Sequence, residues 1–188
     1  KDKTDFGDNL KMGNPFKDEM KTLLTGVTDD KTKIEKIYQF LKDHISWNET
    51  YSFYGNKAKD AIKLKTGDNG QINMILLSML KDADILCYPV MISRRSMGRL
   101  PYTYPSFDQL NTFVVAAETP ADGKIYYMDG ASIYGGLNTL NVDLLVDRGR
   151  ILSDIKSDKW VDLSKISKSQ QVSTIAVHFN ESGNIEGT

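Results

Sequence analysis

Histidine and cysteine, the two side chains on which most nucleophilic and metal chemistry depends, are almost missing: the 188 residues hold two histidines and one cysteine. A lone cysteine cannot form an intramolecular disulfide, which excludes a disulfide scaffold but says nothing of the redox compartment, because many exported proteins also lack such bridges. Charge of one sign is missing as well. Basic and acidic side chains nearly cancel, to a formal net charge of -1, so no global field draws the chain to phosphate backbones and nucleic acid is not an expected partner. No apolar run approaches the roughly 20 residues that cross a bilayer, so no membrane span is expected. Zinc-type pairs, calcium loops, phosphate loops and Gly-rich dinucleotide fingerprints are absent too, so neither a metal nor a cofactor is expected.

What is present is an ordinary globular composition, 40% hydrophobic and 26% charged, enough for one domain with a single core. Asn14-Pro15 has the form of a helix start, cap then proline, followed by Phe16, Met20, Leu23 and Leu24 at helical spacing. A second helix starts near Asp29 and places Ile34, Ile37, Tyr38, Leu41 and Ile45 on one stripe. An aromatic and polar segment from Trp47 to Tyr54, broken by Gly55-Asn56, leads to a short helix at about Lys57 to Leu64. Then Asp68 or Asn69 can cap a helix whose Ile72, Ile75, Leu76, Met79 and Leu80 form a broad buried face.

From Ile85 the pattern turns to strands. Ile85 to Ile92 is one, with Pro89 favouring an edge or a bulge. A basic loop with Arg94, Arg95, Gly98 and Arg99 follows, and Thr112 to Glu118 with Lys124 to Met128 should form a hairpin. Asp143 to Val146 and Arg150 to Leu152 could pair as well, and Val172 to Asn180 alternates as a strand before the turn Ser182-Gly183-Asn184. Helices first and strands second predict an α+β domain with N-terminal helices packed on an antiparallel sheet. The expected division is one domain over 1–170 and a strand or hairpin over 171–188 that begins a following β domain. The abrupt start, without an initiator Met, suggests a piece of a longer protein.

Three blocks carry a resemblance: Gly67-Asp68-Asn69 at a helix start, Leu110 to Val115 at a strand start, and Tyr127 to Ser132 at the end of the next strand. With Ala83 to Val90 between them, they resemble the transglutaminase-like superfamily, a variant of the papain-like cysteine hydrolase fold, over about residues 31–153. In that family a Cys, a His and an Asp from these blocks form a triad. A helix N-terminus lowers the thiol pKa, the His takes its proton and the Asp fixes the His tautomer. Carried over, the nucleophile position is Asn69, the base position Thr112 and the orienting position Asp129. An amide has no ionisable nucleophile and a threonine hydroxyl is no general base near neutral pH.

No other residue is expected to refill those roles. Cys87 falls in a β run whose position implies burial, His44 at a helix C-terminus where it complements the dipole, and His178 in the terminal strand. The resemblance thus implies a catalytically inactive domain, a binding or structural module of a larger exported protein of the cell envelope or secreted. Its expected partners are a peptide, protein or glycan ligand and neighbouring β domains of the same chain. Trp47, Tyr54, Asp68 and Asn111 are the residues expected to line a cleft, with Tyr51, Phe53, Tyr102, Tyr104 and Phe107 bordering it. The alternative is a hydrolase or acyltransferase with a non-standard site around Asp129 and Asp68.

Overall fold

The computed structural model describes residues 4–54, 57–101, 109–153, 159–166, 177–179, 182 and 185–187. Tyr102, Tyr104, Phe107, residues 172–176, Asn180, Gly183, Asn184 and the side chain of His178 lie outside the described residues, as does the expected boundary near residue 170.

Helices α1 (Thr4–Asn9), α2 (Lys17–Leu23), α3 (Asp30–His44), α4 (Ala58–Leu64) and α5 (Asn69–Asp82) come first. Asp29 caps α3 by accepting from Thr32 N at 2.8 Å, and the stripe of Ile34, Ile37, Tyr38 and Leu41 is buried as its spacing requires. Helix α2 begins later than Asn14-Pro15 suggests. Asn14 Oδ1 accepts from Phe16 N at 2.8 Å, closing a local Asx turn instead of capping a helix. The polar start is not unstructured either, because α1 delivers Phe6 edge-on to Phe113 in the core. Helix α5 is the centre: every residue from Ile72 to Leu80 is buried, including polar Asn73 and Ser78, as expected of a helix covered all round.

The strands follow: β1 (Ser46–Trp47), β2 (Thr66–Gly67), β3 (Leu86–Ile92), β4 (Thr112–Thr119), β5 (Lys124–Met128), β6 (Gly149–Ile151), β7 (Trp160–Val161), β8 (Val177–Phe179) and β9 (Ile185–Gly187). The main sheet has five strands in the order β5-β4-β3-β6-β7, antiparallel at each pairing. Thr119 opposite Lys124 closes the expected β4–β5 hairpin. The α+β architecture expected of the chain, helices packed on an antiparallel sheet, is the one observed.

Two expectations fail on this sheet. Asp143 does not start a strand: Val142–Leu144 is a 3-10 turn, and β6 pairs with β3 and β7 instead. Nor is β3 an edge, since it lies in the middle of the sheet. Pro89 is tolerated there because the β3–β6 register runs only from Val90 to Ile92. The missing N–H of Pro89 falls on the β6 side just past that ladder, where its carbonyl accepts from Leu152 N at 3.0 Å.

Because both faces of the sheet are covered, there are two apolar clusters rather than one core. Met91, Phe113, Val115 and Met128 pack with the helices. Val90, Ile92, Val114 and Ile151 pack on the other face with Leu140, Leu144 and Leu163. Gly149 sits where this second layer is tightest, since a Cβ there would lie 2.6 Å from Val90 Cγ1 and 3.1 Å from Val161 Cγ1. Gly149→Ala is therefore expected to lose about 2 kcal/mol by overpacking. Urea unfolding checks it, and a loss no larger than that of Gly136→Ala, whose Cβ would meet nothing closer than 3.9 Å, would refute the tight fit.

Candidate functional site

The first turn of α5 carries Asn69, one of the three positions that the resemblance singles out. Asp68, not Asn69, is the cap: its carboxylate accepts from Gln71 N at 2.8 Å while Gln71 Oε1 accepts from Asp68 N at 3.0 Å, a reciprocal capping box. Asn69 becomes the first helical residue, and its side chain is free to turn inward. Its Nδ2 donates to Thr112 Oγ1 at 2.6 Å, and its Oδ1 accepts from Ser52 N at 2.9 Å. Thr112 Oγ1 in turn donates to Ser52 O at 3.4 Å. Asn69 and Thr112 are thus bonded to each other, and together they clamp the backbone of Ser52.

One helical turn further, Asn73 does what no reading of the sequence assigned to it. Its Nδ2 donates to Phe113 O and to Asp129 Oδ1, both at 2.9 Å, and its Oδ1 accepts from Gly130 N at 2.7 Å. The reason is topological. Strand β5 leaves its ladder at Met128, opposite Val115, so the Phe113 carbonyl points past the end of that strand and needs another donor. The signal that could have found Asn73 is its position, an amide four residues after Asn69 on an otherwise apolar helix.

Asp129 is the most constrained member. Asn69, Thr112 and Asp129 are 0, 0 and 1% exposed. Burial pushes the Asp129 carboxyl up to about 6, against the opposing pull of Asn73, the Ala131 amide and Asn69. Its backbone carbonyl accepts from Tyr38 OH at 2.9 Å. Asp68 is also raised, by its own burial.

The segment from Trp47 to Tyr54 packs against the start of α5. Asn69 N donates to Thr50 O at 3.0 Å, Trp47 Nε1 to the same carbonyl at 2.9 Å, and the Trp47 and Tyr51 rings meet at 5.1 Å. Tyr51 lies under the Arg94 guanidinium, 4.2 Å from ring centroid to charge, a cation–π contact. Arg94 is held there by Asn111 Oδ1 and Asp143, both at 3.3 Å from its nitrogens. Tyr54 packs on Phe53. Among the described residues, Trp47 and Asn111 border separate depressions, of about 380 and 250 Å³.

The remaining chemistry-bearing side chains are elsewhere. Cys87 is buried, donates weakly to Leu77 O at 3.6 Å, and has its thiol pushed up to about 12 by that burial, the opposite of an activated nucleophile. His44 stacks on Phe40 at 3.8 Å with Nδ1 2.7 Å from Phe40 O, at the end of α3.

Comparison with known proteins is confined to structure. No family's sequence model matches the chain, and no curated protein does. A candidate protease of Parabacteroides distasonis superposes with a TM-score of 0.50 at 15% identity over 73% of this chain and 30% of its own. A candidate cysteine protease of Cytophaga hutchinsonii gives 0.47 at 10% identity, over 69% and 43%. The chain spans about a third of the length of the first. At this identity the likeness is one of fold, an α+β arrangement of helices on an antiparallel sheet.

Proposed function

We propose that this chain is a catalytically inactive transglutaminase-like domain that serves as a binding or structural module of a larger exported protein. The observation that carries this reading is the 2.6 Å bond between Asn69 and Thr112 at fully buried positions. Two groups incapable of nucleophilic or base chemistry saturate each other where the resemblance puts the reacting pair. The Ser52 backbone takes up the remaining hydrogen-bonding capacity of the pair. The cell-envelope or secreted setting rests on the resemblance alone.

In hydrolysis and transamidation assays the protein is expected to give no turnover above an Asn69→Ala, Asp129→Ala double variant. A Cys87→Ser variant, which keeps the fold's polar cluster intact, should match the unaltered protein too. Turnover that disappears in either variant overturns the inactive reading and favours the hydrolase or acyltransferase alternative. Ligand-dependent stabilisation across a peptide and glycan panel separates a binding module from a plain spacer, since a ligand that binds only the folded state raises the melting temperature by mass action.

A further inference from the structure

Gln39, Lys42 and Asp43 stand at positions i, i+3 and i+4 of α3, on one flank of a helix whose apolar stripe is buried. They meet the turn that follows β5: Lys42 Nζ donates to Ile133 O at 2.9 Å and to Gly135 O at 3.2 Å. That turn lies tight on the helix, since a Cβ on Gly135 would be 2.5 Å from Tyr38 OH and 2.6 Å from Ser132 Cβ. Between helix and turn lies the depression of about 380 Å³ that Trp47 borders. Trp47 is fixed as well, by the bond from Nε1 to Thr50 O and by the Tyr51 ring. All three walls are in place before a ligand arrives, which spares binding an ordering cost.

The polar groups on these walls are of mixed kind. Gln39 Nε2 donates to Asp43 Oδ1 at 2.7 Å, so Asp43 Oδ2 and Gln39 Oε1 remain as acceptors, and Ser46 and Ser132 add hydroxyls that both donate and accept. Among the described residues the lining carries one charge of each sign, Lys42 and Asp43. The Lys42 ammonium is turned to its two carbonyls and to the Tyr38 ring, 5.3 Å from the centroid. An anionic ligand would gain from Lys42 what it loses to Asp43, and a cation the reverse. The walls therefore suit a neutral ligand that is apolar on one face and hydroxylated along its rim.

We propose that this depression binds a neutral saccharide, with one pyranose ring lying against Trp47 and its hydroxyls donating to Asp43 and Gln39. The aromatic wall offers large contact area to the C–H face of the ring, and a carboxylate acceptor makes the stronger, charge-assisted kind of bond to a hydroxyl. The size is near the lower end of ligand pockets, about 300 Å³, which limits the occupant to one or two rings of a glycan. The assignment rests on the reading of the chain as a binding module, and it uses neither Asn69 nor Thr112.

Titration of the whole chain with cellobiose, maltose and lactose, and with N-acetyl-trialanine amide as the peptide arm, tests it. Binding is read by calorimetry and by the fluorescence of a Trp160→Phe variant, in which Trp47 is the only tryptophan left. At least one disaccharide should bind with a Kd of about 1 mM and change the Trp47 emission. Asp43→Ala should weaken it about tenfold, the scale of a lost charge-assisted bond. The unfolding transition should stay in place, because Asp43 is exposed and its printed bond is to Gln39 one turn away on the same helix. No disaccharide bound at about 10 mM, an unchanged Trp47 emission, indifference to Asp43→Ala, or tighter binding of the peptide would each overturn the assignment. Catalytic inertness is read separately by the turnover assays, so a failure of saccharide binding and a failure of the inactive reading are told apart.

Discussion

Asn73→Ala is expected to destabilise the fold by about 4 kcal/mol, the largest loss from any single side chain outside the apolar clusters. The substitution orphans three buried groups at once: the Phe113 carbonyl, the Gly130 amide and one oxygen of Asp129. Each unmade bond at such a site costs about 1 to 3 kcal/mol. Partial relief comes from Asn69, whose Nδ2 lies 3.5 Å from Phe113 O, and from the Ala131 amide, which keeps a 3.4 Å contact with Asp129 Oδ1. Loss of the side-chain volume adds a cavity penalty. Ser78→Ala is the control, because Ser78 is equally central on α5 but its hydroxyl donates only locally, to Ile75 O at 2.7 Å. It should lose less than about 1 kcal/mol. Equal losses in denaturant melts of the two variants would mean that Asn73 merely fills space.

This dependence on Asn73 also marks where the sequence ceases to be legible. Local periodicity sufficed for α3, whose cap and stripe are contained within residues 29–45, and for the β4–β5 hairpin, whose partners are separated by a single turn. It placed β6 within a residue, at Arg150 to Leu152, but missed its partners, because β3 lies far back in the chain and no alternation can be read over so short a run. It failed too for the second apolar cluster, which exists only because the segments after β5 return across the far face of the sheet. The positions Asn69, Thr112 and Asp129 could be named from motif blocks, yet what they do depends on bonds to residues 17 to 56 positions away. A motif gives positions; the bonds that hold residues 46–54 against α5 are a property of the packed chain.

The stability of the protein is expected to fall as pH rises from 4 to 7, and Asp129→Asn is expected to remove most of that fall. The folded-state carboxyl titrates at about 6, above its ordinary value of 3.8. Between those two values the folded chain holds a proton that the unfolded chain has released, so the slope of unfolding free energy against pH is negative there. The contribution is complete below pH 4 and is lost as pH passes through about 6. At about 1.4 kcal/mol for each pKa unit, the swing is about 3 kcal/mol. Three exposed carboxyls, Asp29, Asp122 and Asp162, are shifted the other way by local hydrogen bonds; their contributions are lost only as pH falls below the ordinary carboxylate range, and Asp129→Asn leaves them in place. The variant keeps an acceptor for Asn73 and Ala131 while remaining neutral at every pH, so its profile should fall much less from pH 4 to 7, with Asp68, also raised by burial, supplying what fall is left, and lie above the unaltered protein near neutrality. Parallel profiles for the two proteins would show that the Asp129 carboxyl titrates normally. The same measurement speaks to function. A positively charged histidine beside this carboxyl would favour its ionised form, whereas here the neighbours on Asp129 are the amides of Asn73 and Asn69 and the backbone of Ala131.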